Sequence, residues 1–271
     1  MSKNQPQKTI AVWQPFFLGG GAEAVALWIL EALKEDFEVT LHTFCDVELS
    51  ALDRMYGTSL AASTITINSI TPGILSGLFS FIMSNNSFLR TAFVYKTIKS
   101  LKDNAEKYDL VFSAFNNIDM GRKGIQYFHW TRVVERPYET AKWWQVMLMR
   151  WAKFSHQSMR QNFSLANSQY TASMVKKTYG VNTQIVYPPV VADIDHVAWE
   201  DKEDAFICSG RLVDSKQPHK VINIVKSIRD QGFDVKLHLT GAGGGSEQKY
   251  LNKIQLLARK YSDWVYLHED M

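Results

Sequence analysis

The sequence predicts an α/β fold of two lobes, each built on a parallel sheet with helices packed against it. Two observations carry that expectation. Short apolar strand signals alternate with helical ones from residue 9 to residue 267, the pattern of repeated βα units. A polar, acidic stretch, VADIDHVAWEDKED at 191–204, divides this alternation into two runs. Each run places a glycine-bearing strand-to-helix corner directly after its first strand, where an α/β sheet offers backbone N–H groups to an anion. At 271 residues the chain is long for one domain and sufficient for two. The expected division is a first lobe at 1–190, a linker at 191–204, and 205–271 as the first half of a second lobe.

The first strand is expected at 9–13, followed by Gly19, Gly20 and Gly21 and a helix at 22–34 with apolar Val25, Leu27, Trp28, Leu30 and Leu33. Further strands are expected at 38–44, 64–67, 110–114 and 124–128, the last ending at His129. One long helical stretch is expected over 138–162 and a strand over 163–166. Asn167 and Ser168 then supply an N-cap for a helix at 169–179, with Lys176 and Lys177 in its last turn and Gly180 as its stop. A strand at 184–187, closed by Pro188 and Pro189, makes seven.

The second run reads as strands at 205–209, 235–240 and 264–267 with helices at 218–231 and 247–261. That is one βαβαβ half of a doubly wound domain, and it predicts an unpaired edge and an apolar face with little to cover it.

Composition narrows the function. The chain is 46% hydrophobic and 21% charged, with a net charge of +3 and no dense block of Lys or Arg, which argues against nucleic acid as a partner. Cys45 and Cys208 match no metal spacing and fit a reduced, cytoplasmic setting. The N-terminus lacks the apolar core of a signal peptide. The apolar segment GILSGLFSFIM at 73–83 is far short of the ~20 residues a spanning helix needs.

The candidate chemistry sits at the corners. Glycines at the first corner allow close backbone approach to a phosphate or sugar, and Glu23 in the next helical turn suits the positive end of the helix dipole. At the second corner Arg211 follows Gly210, and Lys216 comes five residues later. Guanidinium and ammonium at a sheet's carboxyl edge suit a diphosphate, because both charges persist at neutral pH. Trp143, Met147, Trp151 and Phe154 recur at helical spacing among Lys142, Arg150 and Lys153. Such a helix either packs in a core or docks at an anionic membrane. GAGGGS at 241–246 reads as a flexible turn.

Taken in order, these motifs resemble those of GT-B glycosyltransferases of family 4. Gly20-Gly21-Ala22-Glu23 is similar to the family's GGAE corner, and Asn167-Ser168-x-x-Thr171 and Val186-Tyr187-Pro188-Pro189 to its later first-lobe landmarks. Ser209-Gly210-Arg211-Leu212-x-x-x-Lys216 resembles its donor-diphosphate motif, and Leu239-Thr240-Gly241-x-Gly243 its next strand and glycine corner. Tyr127-Phe128-His129-Trp130 looks like the YxHxP stretch of mannosyltransferases that extend lipid-linked oligosaccharides, with Thr131 in place of proline.

The resemblance implies a retaining hexosyltransferase, with mannose among its candidate sugars. It would use a GDP- or UDP-sugar as co-substrate, no other cofactor and no essential metal. Arg211, Lys216 and Gly210 would hold the donor diphosphate, Gly20, Gly21 and Glu23 would form the donor/acceptor loop, and His129 would serve the reacting sugar. Asn167, Ser168 and Gly241 would complete the cleft. The partners implied are a nucleotide-sugar and a glycan or lipid-linked acceptor, at the cytoplasmic face of a membrane if peripheral.

The family's E-x7-E pair is not found, and the sequence ends before the region that carries it, so the chain reads as C-terminally truncated relative to the family. Two alternatives stay open. A non-catalytic fragment that binds glycan or lipid fits the absent E-x7-E. A nicotinamide oxidoreductase would need the GxGxxG that the first corner lacks, although Asp46 ends the second strand as that reading requires.

Overall fold

The computed structural model describes residues 7–17, 20–71, 86–190, 197–241 and 248–268. The chain forms two compact units, 1–192 and 193–271.

The first unit is built on a seven-stranded, wholly parallel sheet: β1 (Lys8–Trp13), β2 (Phe37–Cys45), β3 (Thr66–Thr71), β4 (Leu110–Ser113), β5 (Ile125–Phe128), β6 (Phe163–Ala166) and β7 (Gln184–Ile185). Its order is β3-β2-β1-β4-β5-β6-β7, so the winding reverses between β1 and β4. Ile10, Ala11, Val12 and Trp13 are all fully buried, as a central strand covered on both faces must be.

One face packs Ile10, Val12, Val39 and Leu41 against α1 (Gly21–Leu33) through Val25, Ala26, Leu27 and Leu30. The other packs Ala11, Trp13 and Val111 against α3 (Ser87–Asn104) and the segments that follow it. There the buried Trp13 indole donates to Thr97 Oγ1 at 3.0 Å, so its polar atom is not left unpaired. A further helix, α2 (Leu49–Tyr56), was not anticipated.

The long helix expected over 138–162 is two short ones, α4 (Trp143–Trp151) and α5 (His156–Arg160). Lys153 takes a left-handed conformation with φ 49°, and Ser155 caps α5 by accepting from Ser158 N. The break is pinned from outside the segment. Lys102 donates both to the Lys153 carbonyl and to Asp119, and Asp119 accepts from Ser155 N at 2.8 Å.

The break also splits the aromatic stripe. Phe154 is turned into the core, whereas Trp143, Met147 and Trp151 remain exposed at 75%, 59% and 50%. The helix α6 (Gln169–Tyr179) starts on Ser168, whose Oγ accepts from Thr171 N, and stops at Gly180 with φ 71°, as its local signals require.

The second unit has three parallel strands, β8 (Ala205–Ser209), β9 (Lys236–Thr240) and β10 (Val265–His268), in the order β10-β9-β8. Helices α7 (Pro218–Arg229) and α8 (Gln248–Lys260) pack with Leu212, Leu237, Leu239, Trp264 and Val265 into one core. The expected apolar uncovered face is not what forms. The register places Ile207, His238 and Tyr266 in one row on the face opposite Leu237 and Leu239, with Lys236 and His268 on the same side. His238 joins His268 at 2.9 Å and Glu203 at 2.8 Å and stacks on Tyr266, so this face is largely polar and aromatic, with Ile207 its exposed aliphatic residue.

The segment 73–83, Gly19, Gly243 and most of the GAGGGS turn lie outside the described residues, as does 191–196 of the expected linker.

Candidate functional site

The carboxyl edge of the first sheet collects the residues singled out there. Gly20 is the extended N-cap of α1, and its backbone is held by one side chain. Tyr56 Oη accepts from Gly20 N at 2.8 Å and lies 3.3 Å from Gly20 O. A Cβ at Gly20 would meet Glu23 Oε2 at 2.9 Å, so the Glu23 carboxylate folds back over the glycine at the positive helix end. Gly21 is exposed with open space beside it.

His129 stands at the end of β5 in a fixed frame. Its backbone N–H and that of Trp130 both donate to Asn116 Oδ1, at 2.9 and 2.8 Å, and Asn116 itself is left-handed with φ 61°. The imidazole Nε2 lies 2.9 Å from the Ala114 carbonyl, which can only accept, so Nε2 carries the proton and Nδ1 is left as an acceptor. Burial pushes the His129 pKa below its usual value, an effect the Ala114 carbonyl partly offsets, so the ring is neutral at physiological pH.

Asn167 donates to the His129 carbonyl at 3.2 Å and accepts from Ser168 Oγ at 3.0 Å. The pair therefore positions the His129 corner and caps α6. Sequence reasoning missed Tyr56 and Asn116, whose partners lie 36 and 13 residues away and leave no local motif.

In the second unit the β8–α7 connection carries the two cations. Gly210, with φ 140°, donates to Thr240 O at 3.0 Å, and Gly241, with φ 137°, stacks directly on Gly210. Leu212 is buried and anchors the loop, while Arg211 and Lys216 stay exposed on either side of it. Neither cationic side chain has a partner among the described residues. Lys216 closes a short 3-10 turn (Asp214–Lys216) that leads through left-handed Gln217 into α7, whose N-terminus has Pro218 in its first turn and no side-chain cap. Uncapped first-turn N–H groups and two exposed cations thus meet at one carboxyl edge, and such helix starts favour anions in general.

Neither a protein-family model nor a curated protein sequence matches the chain. Solved structures do. Anabaena HepE in complex with UDP-glucose aligns with a TM-score of 0.60 at 14% identity, over 97% of this chain and 69% of HepE. HepE in complex with UDP and glucose aligns at 0.59 and 15% identity, covering 96% and 68%. A glycosyltransferase from Rickettsia africae aligns at 0.54 and 13% identity, covering 98% and 69%. These likenesses establish the fold: this chain has the α/β architecture of GT-B glycosyltransferases.

Proposed function

We propose that the protein is a glycosyltransferase that grips the diphosphate of a nucleotide-sugar at the β8–α7 corner, through Arg211, Lys216 and the backbone beside Gly210. The observation that carries this reading is the pair of exposed cations, without partners among the described residues, that flank an uncapped helix start in a chain whose fold is that of UDP-sugar-binding enzymes. Within those enzymes we assign it to family 4, on Gly20-Gly21-Ala22-Glu23 and Ser209-Gly210-Arg211-Leu212-x-x-x-Lys216.

The reaction follows from where charge develops. As the bond from the anomeric carbon to the diphosphate breaks, its electron pair passes to the departing phosphate oxygen. Arg211 and Lys216 offset that growing charge. The acceptor hydroxyl attacks on the face being vacated, and its proton passes to the same phosphate oxygen, giving retention. His129, neutral with Nδ1 as an acceptor, orients a sugar hydroxyl rather than supplying a proton. The Gly20–Gly21 corner allows close backbone approach to the acceptor.

A lipid-linked acceptor is favoured by Trp143, Met147 and Trp151, exposed beside Lys142, Arg150 and Lys153 on α4 and its flanks, the make-up of a helix that rests on an anionic membrane. Among the described residues no helix is long and apolar enough to cross one.

Calorimetric titration with UDP, GDP and NAD tests the reading. Binding of UDP or GDP supports it, and binding of NAD in their place overturns it.

A further inference from the structure

The first unit holds a polar cavity of about 380 Å³, lined from α5, the end of α6 and the loop that follows β5. Glu135 stands in its wall, only 2% exposed, and its Oε2 has no hydrogen-bond partner. A carboxylate buried with an unmet oxygen is costly, and what best relieves it is a positively charged donor.

The neighbouring groups do not supply one. Burial holds the Tyr179 phenol protonated, and contact with the Glu135 carboxylate pushes its pKa up further. The phenol oxygen accepts from Arg132 N at 2.7 Å. Asn117, whose side chain also meets Tyr179, leaves its own Oδ1 unpartnered and fully buried.

At the rim the guanidinium groups outnumber the one exposed carboxylate, Glu139: Arg132 and Arg160 line the cavity with exposed side chains that have no partner among the described residues. Arg132 is also held in a left-handed conformation, φ 54°, uncommon for a long side chain and pinned by its bond to Tyr179. Between rim and base, Tyr138 and His156 meet edge to face, with ring centroids 5.0 Å apart. His156 Nε2 donates to the Arg136 carbonyl at 3.1 Å, which fixes the ring in the cavity wall.

From this polarity, a buried carboxylate with an unmet oxygen in the wall and two guanidinium forks at the mouth, we propose that the cavity binds a small zwitterion, a phosphorylated primary amine. Its ammonium would reach Glu135, and its phosphate would lie between Arg132 and Arg160. Guanidinium pairs a phosphate in a fixed, two-pronged geometry, which favours phosphate over a bulky neutral ligand at the rim. An ammonium brings a positive charge and three donors to a wall that holds an unmet carboxylate oxygen, where a hydroxyl brings one neutral donor. This site is independent of the nucleotide-sugar site proposed above.

The test is calorimetry on the full chain carrying Arg211→Ala and Lys216→Ala, so that phosphate cannot report on the other site. Glucosamine 6-phosphate is the probe, with glucose 6-phosphate and glucosamine as controls lacking one charge each. Glucosamine 6-phosphate should bind at least about tenfold more tightly than either control, the equivalent of one charged contact. Arg132→Ala with Arg160→Ala, both on the surface, should erase its advantage over glucosamine. Glu135→Gln, of nearly the same shape, should erase its advantage over glucose 6-phosphate.

Equal affinity for the two phosphates in the Arg211→Ala/Lys216→Ala chain overturns the proposal. So does binding that survives loss of both arginines, or no binding of glucosamine 6-phosphate up to about 10 mM. If Glu135→Gln fails to fold, the ligand series and the arginine variants still decide.

Discussion

Gly241→Ala isolates the contact that shapes the second unit's anion corner. A Cβ at Gly241 would stand 2.8 Å from the Gly210 carbonyl carbon and closer still to its oxygen, and the backbone there has φ 137°. The backbone conformation alone costs an alanine about 1–3 kcal/mol. Relieving the collision requires β8 and β9 to part at the very hydrogen bond, Gly210 N to Thr240 O, that closes the corner, for at least about 2 kcal/mol more.

Gly232→Ala is the matched control, with φ 94° but no atom within 4 Å of the added methyl, so it carries the conformational term without the collision. Hydrogen exchange read on peptides from β8 and β9 should show an opening free energy lowered by at least about 2 kcal/mol more in Gly241→Ala than in Gly232→Ala. Peptides from β1 in the other unit should be unchanged in both. Equal losses in the two variants would refute the argument that Gly210 and Gly241 are locked by contact.

His42 makes a prediction about acid. It is buried beside Tyr108, and burial lowers its pKa to about 4. The unfolded chain binds a proton near pH 6.5 while the folded chain does not, so His42 costs nothing above that pH and destabilises progressively as pH falls from 6.5 to 4, by roughly 3 kcal/mol in total. Denaturant melts of His42→Gln should show a correspondingly flatter loss of stability over that window. Asn116→Ala removes the acceptor of two backbone N–H groups and places alanine at φ 61°, so it should cost about 2–4 kcal/mol in a melt and disturb the His129 ring signals in NMR. Asp119→Ala leaves Lys102 without its carboxylate, 2.5 Å away, beside a 2% exposed side-chain position, and should cost about 3–5 kcal/mol while freeing the α4–α5 break.

What the sequence made legible was what neighbours in the chain decide. Ser168 and Gly180 bound α6 because capping is a contact within one turn, and the seven strands of the first unit followed from apolar runs too short for helices. The α4–α5 break was hidden because its cause, Lys102 and Asp119, lies far upstream in the chain. The frame around His129 was hidden for the same reason, since Asn116 acts across β4 and β5.

The polar outer face of the second sheet did leave a signal. Lys236-Leu237-His238-Leu239 alternates strictly, the mark of a strand with only one apolar side. Reading that unit as a buried parallel sheet overrode the signal and gave the mistaken expectation of an apolar open face.

Whether the β8–α7 corner holds a nucleoside diphosphate through Arg211 and Lys216 is decided by titration of UDP into the parent chain and into Arg211→Ala/Lys216→Ala. Binding should be saturable in the parent and at least about 30-fold weaker in the double variant, with its melting behaviour unchanged because both side chains are exposed and have no partner among the described residues. UDP binding of equal strength in the two proteins, or none to the parent, would contradict this role for Arg211 and Lys216.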